Sequence, residues 1–351
     1  LKLSGFKLGV VPPPCGGSPR WARAAAMRAA PLLGLAALRA ALAEPPYAEL
    51  PAVLSTAAYR LLDGREMPIL GLGVYLAKVG GETYNAVKWA LEAGYRLIDT
   101  AEVYGNEAEV GRAIRDSQVS REEIFVTSKL RPGVHGYEVA LQAGRQSNAD
   151  LGIGFMDLFL IHAPNAGKLV ETWDALLQLQ REGVAKSIGV SNFNVAHIEA
   201  LRSHGRPLPT VNQFEMHPLV YKARQPLLEY CKQHGILVQA YGSVFFGHQD
   251  KLSDAAVAEV ASAHGKSPAQ VLLRWGVQMG LQVIPKSVRQ HRILENMQLF
   301  DFSLSGEEME RLSGLAGAED LRSPLGYWSP LEAPVDLGRT DMGPRQPRSD
   351  L

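Results

Sequence analysis

The chain has 351 residues, 46% of them hydrophobic and 21% charged, an ordinary composition for a globular protein. Its 36 Lys and Arg balance 36 Asp and Glu, which removes any overall electrostatic pull toward nucleic acid or an anionic membrane. Two cysteines, Cys15 and Cys231, exclude a disulfide framework and a cysteine-based zinc site, and no uncharged apolar run of about 18 residues lies beyond the N-terminal segment.

The first 43 residues hold no Asp or Glu and are rich in Ala, Pro, Gly and Arg. Met27 is a candidate start, and Met27 to Ala43 reads as a basic and then apolar stretch ahead of Glu44. A targeting peptide and a plain disordered leader both fit, because Arg39 interrupts the apolar run. The expected layout is a leader over 1–43, one folded domain over 44–318 and a C-terminal loop and tail over 319–351. The expected location is the cytoplasm, or an organelle or the secretory pathway if 27–43 is a targeting peptide. No Asn-x-Ser/Thr sequon follows the leader, which speaks against a glycosylated secreted protein.

Regular patterning starts near Tyr59. The stretch from Tyr59 to Leu62, then Asp63-Gly64, then Arg65 to Met67 predicts a hairpin with a two-residue turn, since Asp-Gly accepts positive φ angles. Short apolar runs then alternate with amphipathic segments. The predicted strands are 69–74, 96–100, 124–128, 156–161, 185–190, 210–213, 237–240 and 281–284. Between them, 83–93 aligns Ala86, Val87, Ala90 and Leu91 on one helical stripe. The segment 170–182 aligns Trp173, Leu176, Leu177 and Gln180 and stops at Gly183, and 223–234 stops at Gly235 in the same way. Eight strands separated by helices predict an α/β fold of the closed (β/α)8 TIM-barrel type, with the hairpin as an N-terminal plug. Gly71-Leu72-Gly73 lacks the third glycine of a dinucleotide fingerprint and reads instead as a strand packed tightly against the hairpin.

In such a barrel, chemistry belongs at the C-terminal ends of the strands. Those ends carry Asp99 and, just beyond, Tyr104, then Lys129, His162, Ser191-Asn192, Gln213, Tyr241 and Lys286-Ser287. Asp99, Tyr104, Lys129 and His162 form an acid–base set. A phenol is a weak acid, with a pKa of about 10, and a neighbouring ammonium favours its ionised form. Asp99 can hold that ammonium, and His162 can hydrogen-bond a substrate oxygen. The set suits protonation of a carbonyl oxygen while hydride arrives at carbon. Each residue alone has a plainer reading: a loop cap, a packed aromatic, a solvated strand end, a turn histidine. Their convergence on one end of consecutive strands favours chemistry. No metal-ligand spacing is present, so no metal is expected.

Six stretches carry a closer likeness: 99–107 (Asp-Thr-Ala-Glu-Val-Tyr-Gly-Asn-Glu), 124–129, 157–162, 188–193, 211–213 and 284–287. On them the chain resembles the aldo-keto reductase family from about Tyr59 to Ala316. The resemblance implies Tyr104 as general acid, Lys129 as the group lowering its pKa, Asp99 as the partner of Lys129, and His162 as the residue orienting the carbonyl. It implies NADPH as cofactor, with Ser191, Asn192 and Gln213 on the carboxamide and Tyr241 stacked on the nicotinamide. Lys286, Ser287 and Arg292 would hold the 2′-phosphate, with Asn296 and Glu295 near adenine. Two cations near one strand end also suit a phosphate monoester on charge alone.

The chain departs from the family pattern in places. Tyr75 stands in the first strand–helix loop where Trp is common and is expected to line the substrate pocket with His162. Ala163 replaces a Trp after the histidine and widens that pocket. The loop after strand seven reads Gly242-Ser243-Val244-Phe245, with Ser243 as the residue expected to reach the pyrophosphate. Arg289 replaces a Thr or Ser and adds a cation. The run from Gln146 to Gly152 departs from the usual pattern and is expected to weaken its helix. Tyr327 and Trp328 are candidate pocket aromatics in the tail. The expected function is NADPH-dependent reduction of an aldehyde or ketone by a monomer acting on a small-molecule carbonyl substrate. The alternative is a non-catalytic NADPH-binding barrel, and a metal-dependent barrel hydrolase lacks the paired ligands it needs.

Overall fold

The structure, a computed structural model, describes residues 57–164, 167–315, 317, 319–327 and 330–337. The expectations for the 1–43 leader and for Trp328 fall outside these residues. A hairpin of β1 (Ala58–Arg60) and β2 (Glu66–Pro68) comes first. The chain then runs β3 (Leu72–Gly73), α1 (Glu82–Ala93), β4 (Leu97–Asp99), α2 (Glu107–Arg115), β5 (Phe125–Leu130) and α3 (Tyr137–Leu151). Next come β6 (Met156–Ile161), α4 (Leu169–Arg181), β7 (Ala185–Ser191), α5 (Val195–Ser203), β8 (Val211–Glu215) and α6 (Pro218–Gln233). The last part holds β9 (Leu237–Tyr241), α7 (Gln249–Leu252), α8 (Ala255–His264), α9 (Pro268–Gln278), β10 (Gln282–Val283), α10 (Gln290–Glu295) and α11 (Gly306–Ser313).

Strands β3 to β10 pair in parallel in chain order. Parallel bridges from Leu70 to Val283 and from Gly73 to Lys286 join the last strand to the first. This is the expected (β/α)8 barrel. Gly71 and Gly73 make that seam possible, for a Cβ on Gly71 would lie 2.2 Å from Leu97 Cδ2 and one on Gly73 would lie 2.9 Å from the Ile284 carbonyl oxygen. The tight packing expected of this stretch is therefore against neighbouring barrel strands, not against the hairpin.

The strand pleat, with its period of two, divides the side chains into two sets. One set fills the layer between barrel and helices and includes Ile98, Val126, Phe159, Ile161 and Val190. The other set fills the barrel interior: Leu97, Phe125, Leu158, Leu160, Val211 and Ile284, capped by Leu61 and Met67 of the hairpin. Two to four residues further along the same strands, the inward positions become polar. Leu97 is followed by Asp99, Phe125 by Thr127 and Lys129, Leu160 by His162, Val211 by Gln213, and Ile284 by Lys286. The barrel is thus greasy at its N-terminal end and ionisable at its C-terminal end.

The hairpin turn differs from expectation. Leu61 N–H donates to Arg65 O at 2.8 Å, enclosing three loop residues, and Gly64 takes the left-handed position at φ 86°. Asp63 is then free to accept a hydrogen bond from Ser187 Oγ at 2.6 Å, which ties the plug to the start of β7. Two helical expectations also change. On α4 the buried side chain of the last turn is Leu179, while Leu177 and Gln180 are only half-buried. Helix α3 is not weakened: it runs 15 residues, and Ser147 buries its hydroxyl against Glu107 at 3.3 Å.

Candidate active site

The four acid–base residues meet at the polar end of the barrel. Lys129, fully buried, donates from Nζ to Asp99 Oδ1 at 2.6 Å and to the Thr100 carbonyl oxygen at 2.8 Å. The same ammonium lies 3.5 Å from the Tyr104 hydroxyl. The His162 ring meets the Tyr104 ring edge-on with centroids 5.8 Å apart, and the Tyr75 ring lies 5.0 Å from that of Tyr104. The parallel register explains the convergence: Asp99 is opposite Thr127 and Lys129 is opposite Leu160, so the inward residues rise by a step from strand to strand.

Burial sets the protonation states. It pushes the Asp99 carboxyl up, against the pull of Lys129 and Gln213, and it pulls the Lys129 ammonium down, against the push of Asp99. Each ion persists because the other is 2.6 Å away. Burial also pushes the Tyr104 phenol well above its usual 10, with Asp99, Tyr241 and Tyr75 adding to the rise. The expected pull of Lys129 toward the phenolate is outweighed in the resting site, so the net shift is upward. Asp99 largely cancels the field of the ammonium, and desolvation then dominates. The phenol keeps its proton. His162 is pulled down to about 3 by burial first and Lys129 second, so its imidazole is neutral and offers a single N–H.

The predicted carboxamide-binding residues are adjacent to this set. Ser191 Oγ donates to the Gln213 carbonyl oxygen at 2.8 Å, and Asn192 Nδ2 donates to the His162 carbonyl oxygen at 3.0 Å. Asn192 has φ 60°, a left-handed backbone that a side-chain-bearing residue adopts at a cost, and such strain collects at functional sites. Tyr241 donates its hydroxyl to Asn192 Oδ1 at 2.8 Å, which fixes the ring at the mouth. Gln213 does more than expected: its Nε2 donates to Asp99 Oδ2 at 2.7 Å and orients the carboxylate from the side opposite Lys129. Ser243 is buried and donates to the Ala240 carbonyl oxygen at 3.1 Å.

At the last strand, Lys286, Arg289 and Arg292 are exposed, and none is in ion-pair contact with a carboxylate among the described residues. Ser287, in the loop before α10, and Asn296, its C-cap, lie buried beside them. In the tail, Tyr327 stacks face to face on Phe246 with centroids 3.6 Å apart, and Phe246 is 6.2 Å from the Tyr241 ring.

Three groups escaped the sequence reading. Asn106 accepts from Thr100 Oγ1 at 2.7 Å and donates to the Val74 carbonyl oxygen at 3.0 Å, which locks together the loops after β3 and β4. Glu107 is buried between Ser128 Oγ at 2.5 Å and Ser147 Oγ. Glu215 accepts from His217 and Ser323 at 2.8 Å each and from Arg224 at 3.1 Å, clamping the tail beneath the mouth. The glutamates and Asn106 fall within or next to motifs, but nothing in the sequence shows which distant hydroxyl or cation each one meets.

A cavity of about 690 Å³ opens at the other end of the barrel, beside the hairpin, lined by residues such as Arg65, Tyr95, Arg96 and Phe125. It holds none of the acid–base set. We place the chemistry at the opposite mouth, where strand C-termini and ionisable side chains coincide. Among the described residues no group of His, Cys, Asp and Glu could hold a metal ion, and no helix is long and apolar enough to cross a membrane.

Fold and site together define a (β/α)8-barrel enzyme with a buried acid–base layer at the strand C-termini. The model of the aldo/keto reductase family matches residues 73–316, and the chain belongs to that family. It is 46% identical over 250 residues to a 9,11-endoperoxide prostaglandin H2 reductase of Trypanosoma cruzi (strain CL Brener), covering 71% of this chain and 88% of the relative. It is 43% identical over 256 residues to a glyoxal reductase of Bacillus subtilis (strain 168), covering 73% and 91%. Among solved structures, an aldo-keto reductase from a Medee basin deep-sea metagenome library superposes with a TM-score of 0.72 at 41% identity, covering 77% and 99%. The aldose reductase of Schistosoma japonicum superposes at 0.70 with 36% identity, covering 75% and 94%. The protein is an oxidoreductase of the aldo-keto reductase type.

Proposed function

We propose that the protein reduces aldehydes or ketones to alcohols with NADPH, and that Tyr104 donates the proton. The observation that carries this reading is the buried chain Asp99–Lys129–Tyr104, which ends at the barrel mouth beside a neutral His162. In the reaction the carbonyl carbon gains a hydride and the oxygen gains a proton. NADPH, when bound, supplies the hydride.

This chain's own residues do the rest. His162 donates its N–H to the carbonyl oxygen and polarises the bond. Tyr104 stays protonated in the resting site and releases its proton as negative charge grows on that oxygen. The Lys129 ammonium then steadies the phenolate, and Asp99 and Gln213 keep Lys129 in place. Ser191, Asn192 and Gln213 hold the carboxamide, and Tyr241 supports the nicotinamide ring. Lys286 and Arg292, with Arg289 added, suit a 2′-phosphate because all three cations are exposed and unengaged. Ser287 and Asn296 line the same end, Ser243 lines the pyrophosphate path, and Tyr75 forms a substrate wall. All these groups come from one chain, so a monomer suffices.

The two relatives with named activities are both called reductases, which favours this reading over a non-catalytic NADPH-binding barrel. Tyr104→Phe tests it. The variant is expected to lose turnover by about 1,000-fold or more, within the range of a lost general acid plus its field, while fluorescence titration shows NADPH still binding. Retained carbonyl-dependent NADPH consumption in that variant rejects Tyr104 as the acid. Binding without consumption in the unaltered protein favours the non-catalytic barrel.

A further inference from the structure

Strand β9 alternates between the two layers of the core. Val238 and Ala240 belong to the layer between barrel and helices, while Leu237 and Tyr241 pack on the apolar set inside the barrel. Gln239, between them, shares the inward side and is fully buried. An amide in such a place is unfavourable unless its polar atoms are bonded. Only one of the two is. Gln239 Oε1 accepts from Gln213 Nε2 at 2.5 Å, while Gln239 Nε2 has no partner among the described residues. Packing alone does not account for this residue, because Met or Leu fills a similar space and leaves no N–H of its own unpaired.

The bond that Gln239 does make reaches the acid–base set. The parallel register sets it opposite Gln213. A side-chain amide offers two N–H groups and one oxygen. Gln213 Nε2 donates to Asp99 Oδ2 at 2.7 Å and to Gln239 Oε1. The direction of these bonds is forced. The Asp99 carboxylate, paired with Lys129, can only accept, so Gln213 turns its nitrogen toward it. Gln239 must then turn its oxygen toward that same nitrogen. Both donors of Gln213 are thus taken by buried acceptors, and its oxygen is the one atom left for a ligand. Asp99 alone would hold one N–H and leave the amide plane free to turn. Gln239 fixes the plane.

We propose that Gln239 is a positioning residue that makes Gln213 a pure acceptor, so that Gln213 selects a ligand group bringing an N–H donor. The inference rests on the reductase reading above, in which Gln213 meets the nicotinamide carboxamide, and the NH2 of that carboxamide is the donor. Gln239 acts through Gln213 and touches neither cofactor nor substrate.

The experiment compares two ligands by quenching of protein fluorescence, with no carbonyl substrate present: NADPH, and its reduced 3-acetylpyridine analogue, in which a methyl group replaces the carboxamide NH2. The unaltered protein is expected to bind NADPH more tightly. Gln239→Met and Gln239→Leu, which lack the acceptor oxygen, should each weaken NADPH binding about three- to tenfold, the size expected for one hydrogen bond, and leave the analogue within about twofold. Gln239→Glu, which keeps an oxygen, should retain the preference for NADPH. The thermal midpoint of Gln239→Met should stay level or rise, since one unpaired N–H replaces another. Unchanged NADPH affinity in the Met and Leu variants overturns the proposal. So does an equal loss of both ligands, a preference lost in Gln239→Glu, or a lowered thermal midpoint with the NADPH preference intact, which would assign Gln239 to packing. An unaltered protein that binds both ligands equally would instead overturn the placement of the carboxamide on Gln213, and one that binds neither would overturn the reductase reading itself.

Discussion

The two ends of the barrel are built from the same eight strands to opposite purposes. At the hairpin end, inward positions carry Leu97, Phe125, Leu158 and Val211, and Leu61 and Met67 close them off. Two to four residues further on, inward positions carry Asp99, Lys129 and Gln213, all buried, with Asp99 bonded to both of the others. The apolar end can stabilise the fold with nothing but contact area. The ionisable end takes charge out of water and is tolerated only because every charge has a partner. Stability and chemistry are thus separated by one or two periods of the strand pleat, and substitutions at the two ends should fail in different ways.

The largest contrast is expected from Lys129→Met, at the ionisable end. Turnover should fall about 100- to 10,000-fold as the phenolate loses its cation, and steady-state kinetics at saturating NADPH would check this. Met67→Ala, at the apolar end, should do the reverse. It should lower unfolding free energy by about 2–5 kcal/mol through a cavity under the plug and leave kcat near its original value. Urea unfolding alongside a turnover assay would separate the two, and a large kcat loss in Met67→Ala would break the proposed division.

Glu107 sharpens the comparison through pH. Burial raises its pKa to about 7, and Ser128 and Ser147 only partly offset that rise. A carboxyl whose folded pKa lies above its unfolded value near 4.5 binds its proton more tightly in the native state. Its contribution to stability is therefore whole below about 4.5 and declines as pH climbs to about 7. Glu107→Gln keeps the shape without the charge, so it should gain up to about 3 kcal/mol on the unaltered protein between pH 5 and pH 8. Urea midpoints at the two pH values measure this, and parallel values for the two proteins would count against a buried, neutral Glu107. The smallest effect belongs to Asp63→Ala, which removes the tie to Ser187 and should cost about 1 kcal/mol by thermal unfolding, with no kinetic change.

Much of this arrangement was legible in the sequence, and the rest was hidden for identifiable reasons. The strands and Asp99, Tyr104, Lys129 and His162 could be read because residue type and strand ends coincide. Strand ends were read short, at 128 for β5 and 213 for β8, because Lys129 and Glu215 are charged yet buried by partners far along the chain. The hairpin turn was read one residue too tight because Asp63-Gly64 fits two turn lengths, and the tie to Ser187 lies 124 residues away. The net rise in the Tyr104 pKa was not readable, because proximity to Lys129 shows in the sequence and depth of burial does not.

The plug has one more consequence, in the order of events as the chain is made. The hairpin is the first described part of the barrel to be synthesised, yet the floor it rests on includes Val211 and Ile284. A two-stranded hairpin alone is marginal in water, and closing loops of this length delays contacts that depend on them. Leu61 and Met67 must therefore wait, exposed, until β10 arrives. Partly made chains should be most prone to stick to one another in that interval, and sealing the base of the barrel should be among the last steps of folding.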